Sequence, residues 1–296
     1  MNKMDTEQEW LRRPERSNRA LLKFLVWVAL RLGRPAARCL LHPVCLYYLL
    51  FSPAPRRASR DFLRQALGRP PRFADLYCHH FCFAASALDR VFLLNGQLHL
   101  FDVRAKGEDI LRDVLARGKG GILVGAHFGS FEIIRALGKS QAALSLSLLM
   151  YQDNARMLAE VASAINPALA MEIISLGQRD SMLKVSDRLE HGALIGMLAD
   201  RTLEGEEQAL CPFLGRPATF PLGPFRLAKL LRRPVILMVG VYRGGLRYDI
   251  HFETLAAGGE EQAPVTEILE RYVARLEHYV QLAPYNWFNF YDFWKQ

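Results

Sequence analysis

Between residues 120 and 240 the sequence alternates between two periodicities, and that alternation limits the fold more than any other feature. Short apolar runs ("GILVGA", "ALSLSLLMY", "AMEIISLG", "ALIGMLAD", "PVILMVGVYR") are separated by helical patterns ("SFEIIRALG", 153–165, "SMLKVSDRLEHG", "GPFRLAKLLRR"). Runs of this length flanked by glycine and proline read as buried strands, and strands that alternate with helices build a mostly parallel sheet covered on its faces. The expected class is α/β, with a mostly parallel central sheet flanked by helices. In such sheets ligands collect at the carboxyl ends of the strands. His127 and Asp200 each directly follow a predicted strand, so one site can contain both.

Around this region the pattern is helical from about 60 to 95, with Gly96 as a C-cap, and again over 107–117. "RYDIHFETL" reads as an edge strand. "APVTEILERYVARLEHYVQLAP" reads as a long helix capped by Thr266. The front of the chain differs in charge. Residues 1–72 hold 15 Lys and Arg against 5 Asp and Glu, whereas the rest holds 23 against 25. Two apolar runs, 24–30 and 39–51, are divided by Arg31, Arg34 and Arg38, and neither reaches the ~20 apolar residues of a spanning helix. On a helical projection Arg16, Arg19, Lys23, Arg31 and Arg34 share one stripe, with Trp27, Val28, Leu21 and Leu32 outside it. This is the pattern of a helix lying in a membrane interface, kinked or ended at Gly33 and Pro35. A helix on the protein core with a solvated basic face has the same pattern. The division expected is 1–60 as a basic, apolar, membrane-associating helical segment and 61–296 as an α/β catalytic domain. Nucleic-acid binding does not fit, because the cations alternate with a strongly apolar face and no such module is present. Five cysteines without an extracellular framework, and the absence of a signal-peptide pattern, point to a reducing compartment.

The segment "GGILVGAHFGSFEIIRALG" (120–138) holds the most informative polar residues. On one continuous helix His127 and Glu132 would point apart by about 140°. They meet only if His127 precedes the helix, Gly129 makes the turn and Ser130 caps the helix that Glu132 opens. The Glu132 carboxylate then takes the proton of one imidazole nitrogen and leaves the other as a base. No side-chain nucleophile accompanies the pair. A substrate hydroxyl or amine would supply it, aimed at an activated acyl group. By spacing alone the histidine is more readily structural; its position after a buried strand, between glycines, brings chemistry level with that reading.

"GAHFGSFE" resembles the His-x4-Asp/Glu motif of the lysophospholipid acyltransferase superfamily, in particular the branch of bacterial lipid A late acyltransferases. "GMLADRTLEGEEQALCPFLGRPATFPLGPFRLA" (196–228) is similar to the Ala-Asp-Arg/Gln segment, Phe-x-Gly turn and Pro-x-Gly-Pro helix start of that branch. "SALDRVFLLNG", "GSFEIIRALG", "LMYQDNAR" and "NWFNFYDFW" resemble acyltransferases of aryl polyene gene clusters. The resemblance implies an acyltransferase at the cytoplasmic face of a bacterial inner membrane, in contact with its lipids. The donor would be acyl-carrier protein or another acyl thioester, and the acceptor a lipid or glycolipid. It assigns His127 as general base and Glu132 as its partner, places Gly129, Ser130, Asn154, Arg156, Asp200 and Arg201 at the substrate, and requires no cofactor or metal. One departure is the ending "NWFNFYDFW", which has no cation before Lys295, although a phosphorylated acceptor calls for arginine or lysine.

"YCHHFC" (77–82) lacks the paired spacing of a zinc site. Lys229, Arg232 and Arg233 end a helix, where cations are locally favoured, and could also dock an acidic carrier protein. Two other classes stay open on the sequence: a thioesterase or hydrolase in which His127 activates water, and a non-catalytic partner that binds lipid or carrier protein.

Overall fold

The computed structural model describes residues 19–133, 136, 145–166, 172–202 and 205–295. Its centre is a seven-stranded sheet: β1 (Asp102–Lys106), β2 (Gly121–Gly125), β3 (Leu146–Tyr151), β4 (Ile173–Leu176), β5 (Leu194–Leu198), β8 (Val235–Tyr242) and β9 (Arg247–Ala256). The order is β1-β9-β8-β2-β5-β3-β4. All neighbours are parallel except β8 and β9, which form a hairpin. β2 and β8 are buried along their whole length, as continuous apolar runs in a sheet covered on both faces must be.

Two parts of the sheet differ from the sequence expectation. "RYDIHFETL" is not the edge, because β1 pairs with it in parallel outside it. β1 reads "DVRAK", a half-exposed strand whose charged positions conceal the alternation. β6 (Gln208–Phe213) and β7 (Arg216–Pro221) form a separate antiparallel hairpin turning at Leu214 and Gly215, both at positive φ. Only its Phe-x-Gly turn is visible in the sequence.

The helices within this body are α4 (Glu108–Ala116), α5 (Gln152–Ile165), α6 (Ser181–Glu190), α7 (Gly223–Leu230) and α8 (Val265–Leu282). The N-cap of α8 is Pro264, two residues before the expected Thr266. The helix expected over "SFEIIRALG" begins at Phe131, and much of it lies outside the described residues.

Three helices precede the sheet: α1 (Arg19–Phe51), α2 (Pro53–Leu67) and α3 (Phe73–Leu94). Gly33 kinks α1 at φ 81°. The helical pattern from 60 onward is broken at Gly68, which is left-handed, followed by two prolines. The expected boundary between 60 and 61 falls inside α2, next to Phe62, which is fully buried against Trp287. The cationic stripe of α1 is divided. Arg31 is exposed, but Arg34 makes a bidentate pair with buried Asp89 on α3 at 2.6 and 2.9 Å. Tyr248 donates to the same carboxylate, and Arg38 donates to Tyr242. The protein therefore takes up part of a charge pattern that the sequence assigned to head groups. Phe24, Trp27, Leu30, Leu32, Tyr47 and Phe51 remain exposed. Among the described residues no helix is long and apolar enough to cross a membrane.

Candidate active site

β2 and β5 are parallel neighbours in which Gly121 faces Leu194 and Gly125 faces Leu198. The same offset of 73 residues, continued two places beyond the strand ends, puts His127 beside Asp200. Nδ1 of His127 lies 2.9 Å from Oδ1 of Asp200, and the His127 amide donates to Oδ2 at 2.9 Å. A carboxylate only accepts, so Nδ1 carries the proton and Nε2 keeps its lone pair. Trp287 donates its indole N–H to Oδ2, also at 2.9 Å. Three N–H groups thus fix a carboxylate that is 1% exposed, as a buried charge demands.

The loop that carries the histidine is stitched to two neighbours. The Ser130 amide donates to the Gly240 carbonyl of β8. Gly129 has φ +57°, and a Cβ there would overlap the Gly240 oxygen, so glycine is needed both for its conformation and for the close approach. On the other side, the Gly129 amide donates to Asn286 and the Phe288 amide to the His127 carbonyl, at 2.8 and 2.7 Å. Asn286 pairs through its side-chain amide with both backbone groups of Tyr242, which extends the ladder past the end of β8. Trp287 is packed by Phe62, Phe213 and Phe293, and its carbonyl accepts from His79 Nε2. The aromatic ending is therefore mostly packing around the site.

Burial and the positive charge of Arg201 lower the pKa of His127 against the pull of Asp200. Burial works to raise that of Asp200, but His127 and Arg201 overcome it and hold it at about 2. The pair at neutral pH is a neutral imidazole beside a carboxylate, with one third of the histidine side chain open to solvent. Such an imidazole can accept a proton at Nε2.

The other expected residues are dispersed. Glu132 is buried and lies not on His127 but 2.7 Å from Arg90 Nε, an ion pair reaching to α3. The bond expected from Glu132 to the imidazole is made by Asp200, because the loop holds Nδ1 toward β5. Ser130 Oγ, expected to cap the helix, is buried with no hydrogen bond among the described residues. Arg201 donates to the Phe288 carbonyl and covers the Tyr291 ring. Asn154 and Arg156 open α5 at the carboxyl end of β3; Arg156 is exposed and pairs with Asp153. Arg90 and Trp287 were not singled out as site residues, since no local spacing links them to His127. The Arg232 and Arg233 cations pair with Glu260 and Glu190 at the amino end of the sheet, the end away from His127.

The family model for bacterial lipid A biosynthesis acyltransferases matches residues 94–296. The chain belongs to this family. No curated protein matches it. As a member of the lipid A biosynthesis acyltransferase family the protein is an acyl-transferring enzyme, and the family implies an acyl donor and a lipid acceptor. The matched stretch includes His127, Glu132, Asp200 and Trp287 and begins just after Arg90.

Proposed function

We propose that the enzyme moves an acyl chain from a thioester, carried on acyl-carrier protein, to a hydroxyl or amine of a lipid or glycolipid. The observation that carries this reading is the His127 imidazole, held by Asp200 at Nδ1 so that Nε2 keeps its lone pair, in a side chain one third open to solvent. Nε2 takes the acceptor proton as the acceptor atom bonds to the thioester carbon. Collapse of the adduct breaks the C–S bond, and the departing thiolate takes the proton back from Nε2. Asp200 keeps the imidazole in one tautomer throughout, and Glu132 supports the site through Arg90.

The working position is the cytoplasmic face of a bacterial inner membrane. The exposed Trp27, Leu30 and Phe51 of α1 support seating in an interface. The likeness of "SALDRVFLLNG" and "NWFNFYDFW" to aryl polyene acyltransferases, and the lack of a cation before Lys295, favour a glycolipid of that kind over lipid A itself. The test is incubation of purified enzyme and its His127→Ala variant with acyl-carrier proteins and a Gram-negative lipid extract, followed by mass spectrometry. A new acylated lipid made by the wild type alone supports the proposal. Transfer indifferent to His127, or release of free fatty acid alone, removes it.

A further inference from the structure

Glu132 is 8% exposed and has Arg90 as its ion-pair partner at 2.7 Å. A buried carboxylate needs a counter-charge, which explains why Arg90 is held. It does not explain the rest of the guanidinium. Nε stands at ion-pair distance from Glu132 without the alignment of a hydrogen bond. Among the described residues no hydrogen bond engages the two terminal amino groups, and 35% of the side chain is open. An arginine fork presents paired donors suited to an oxyanion. Glu132 holds this one at the segment that carries His127, five residues further along, and its charge acts on the imidazole after those of Arg201 and Asp200. Arg201 already donates to the Phe288 carbonyl and lies over Tyr291.

The geometry points to Arg90 as the cation of an anion-binding subsite beside His127, clamped by Glu132, whose ligand is the oxyanion formed at the thioester carbonyl. The inference rests on the proposed acyl transfer. When the acceptor atom bonds to the thioester carbon, the carbonyl π pair moves to oxygen, and that charge needs a donor. When the pair returns, the C–S bond breaks and the thiolate leaves with the proton from Nε2. In this arrangement the glutamate of the His-x4-Glu motif acts on the arginine, and the imidazole is left to Asp200. The preceding residue, Asp89, has a purely structural role. It is fully buried on Arg34 and Tyr248, so α3 is anchored on one face while it presents Arg90 on another.

The experiment measures transfer from acyl-carrier protein charged with lauroyl, myristoyl or palmitoyl chains to a Gram-negative lipid extract, for wild type, His127→Ala, Arg90→Lys, Arg90→Ala and the double variant Arg90→Ala with Glu132→Gln. The double variant removes both charges, so it escapes the penalty of a buried, unpaired Glu132. Expected is a fall in kcat of about 10²–10³-fold with little change in KM, the cost typical of losing one oxyanion donor. The acid limb of the kcat/KM profile of Arg90→Ala also moves to higher pH, because a charge that opposed protonation of His127 is gone. A wild-type kcat in the folded double variant overturns the inference, and so does a loss confined to KM, which would mark a ground-state anion such as a phosphate. If the wild type transfers nothing, or His127→Ala transfers equally well, the proposed function itself fails; His127-dependent transfer indifferent to Arg90 removes this inference alone.

Discussion

Oδ2 of Asp200 receives two N–H groups at the same distance, 2.9 Å, one from the backbone of His127 and one from the indole of Trp287. The residue that orients the proposed base is thus itself oriented by the base's own amide and by a side chain 87 positions further along.

Trp287→Phe keeps most of the aromatic packing and deletes one of these donors. The carboxylate becomes more basic and draws the imidazole proton more strongly, so the His127 pKa rises. The acid limb of the pH–rate profile is expected to shift upward, with a loss in kcat of about tenfold, equivalent to ~1.5 kcal/mol for a hydrogen bond to a charged group. Steady-state rates across pH measure both.

Asp200→Asn replaces an acceptor with an amide that offers a donor to one of three facing N–H groups. To pair with its amide nitrogen, Nδ1 would have to give up its proton, and the proton would then sit on Nε2, where the acceptor must be deprotonated. A kcat loss of about 10²–10⁴-fold is expected, with the fold retained by circular dichroism.

Gly129→Ala meets two obstacles, the left-handed backbone and the Gly240 oxygen that the new Cβ would overlap. A left-handed non-glycine residue alone costs about 1–3 kcal/mol, and the overlap adds to it. Chemical denaturation should show a loss above ~3 kcal/mol; a variant as stable as the wild type would contradict the described loop.

Arg34→Met leaves Asp89 fully buried opposite a thioether. Breaking a buried pair from one side costs about 3–5 kcal/mol. The loss should appear in urea unfolding and should shrink when Asp89→Asn is added, since the second change removes the stranded charge.

Burial pushes the His79 pKa from 6.5 down to about 3. Its Nε2–H donates to the Trp287 carbonyl and its Nδ1 accepts from Ser59, so only the neutral ring fits. A depressed histidine stabilises the fold fully above the unfolded pKa near 6.5, and that contribution is lost as pH falls toward 3. His79→Gln should flatten the pH dependence of Tm in this window; an unchanged slope in differential scanning calorimetry would assign the acid sensitivity to other groups.

The buried strands were readable because β2, β5 and β8 are apolar without interruption, and this fixed the class and the placement of His127 and Asp200 at strand ends. The partner of His127 was not readable. Five residues of spacing favoured Glu132, whereas the actual neighbour is set by the register between β2 and β5, a property of pairing that one strand's sequence does not contain. Arg34 shows the same limit. Its place in a helical stripe suggested a cation facing head groups or solvent, and only the packing of α1 on α3 shows that it faces Asp89. β1 and the β6–β7 hairpin were missed because half-exposed strands carry charges and prolines on their open faces.

His127, Asp200 and Trp287 are separated along the chain by gaps of 73 and 87 residues. Closing such loops costs entropy that the buried contacts must repay. A chain with most of its secondary structure but without the final crossing of residues 286–288 has no oriented imidazole. The proposed base is therefore oriented only where three distant parts of the chain meet.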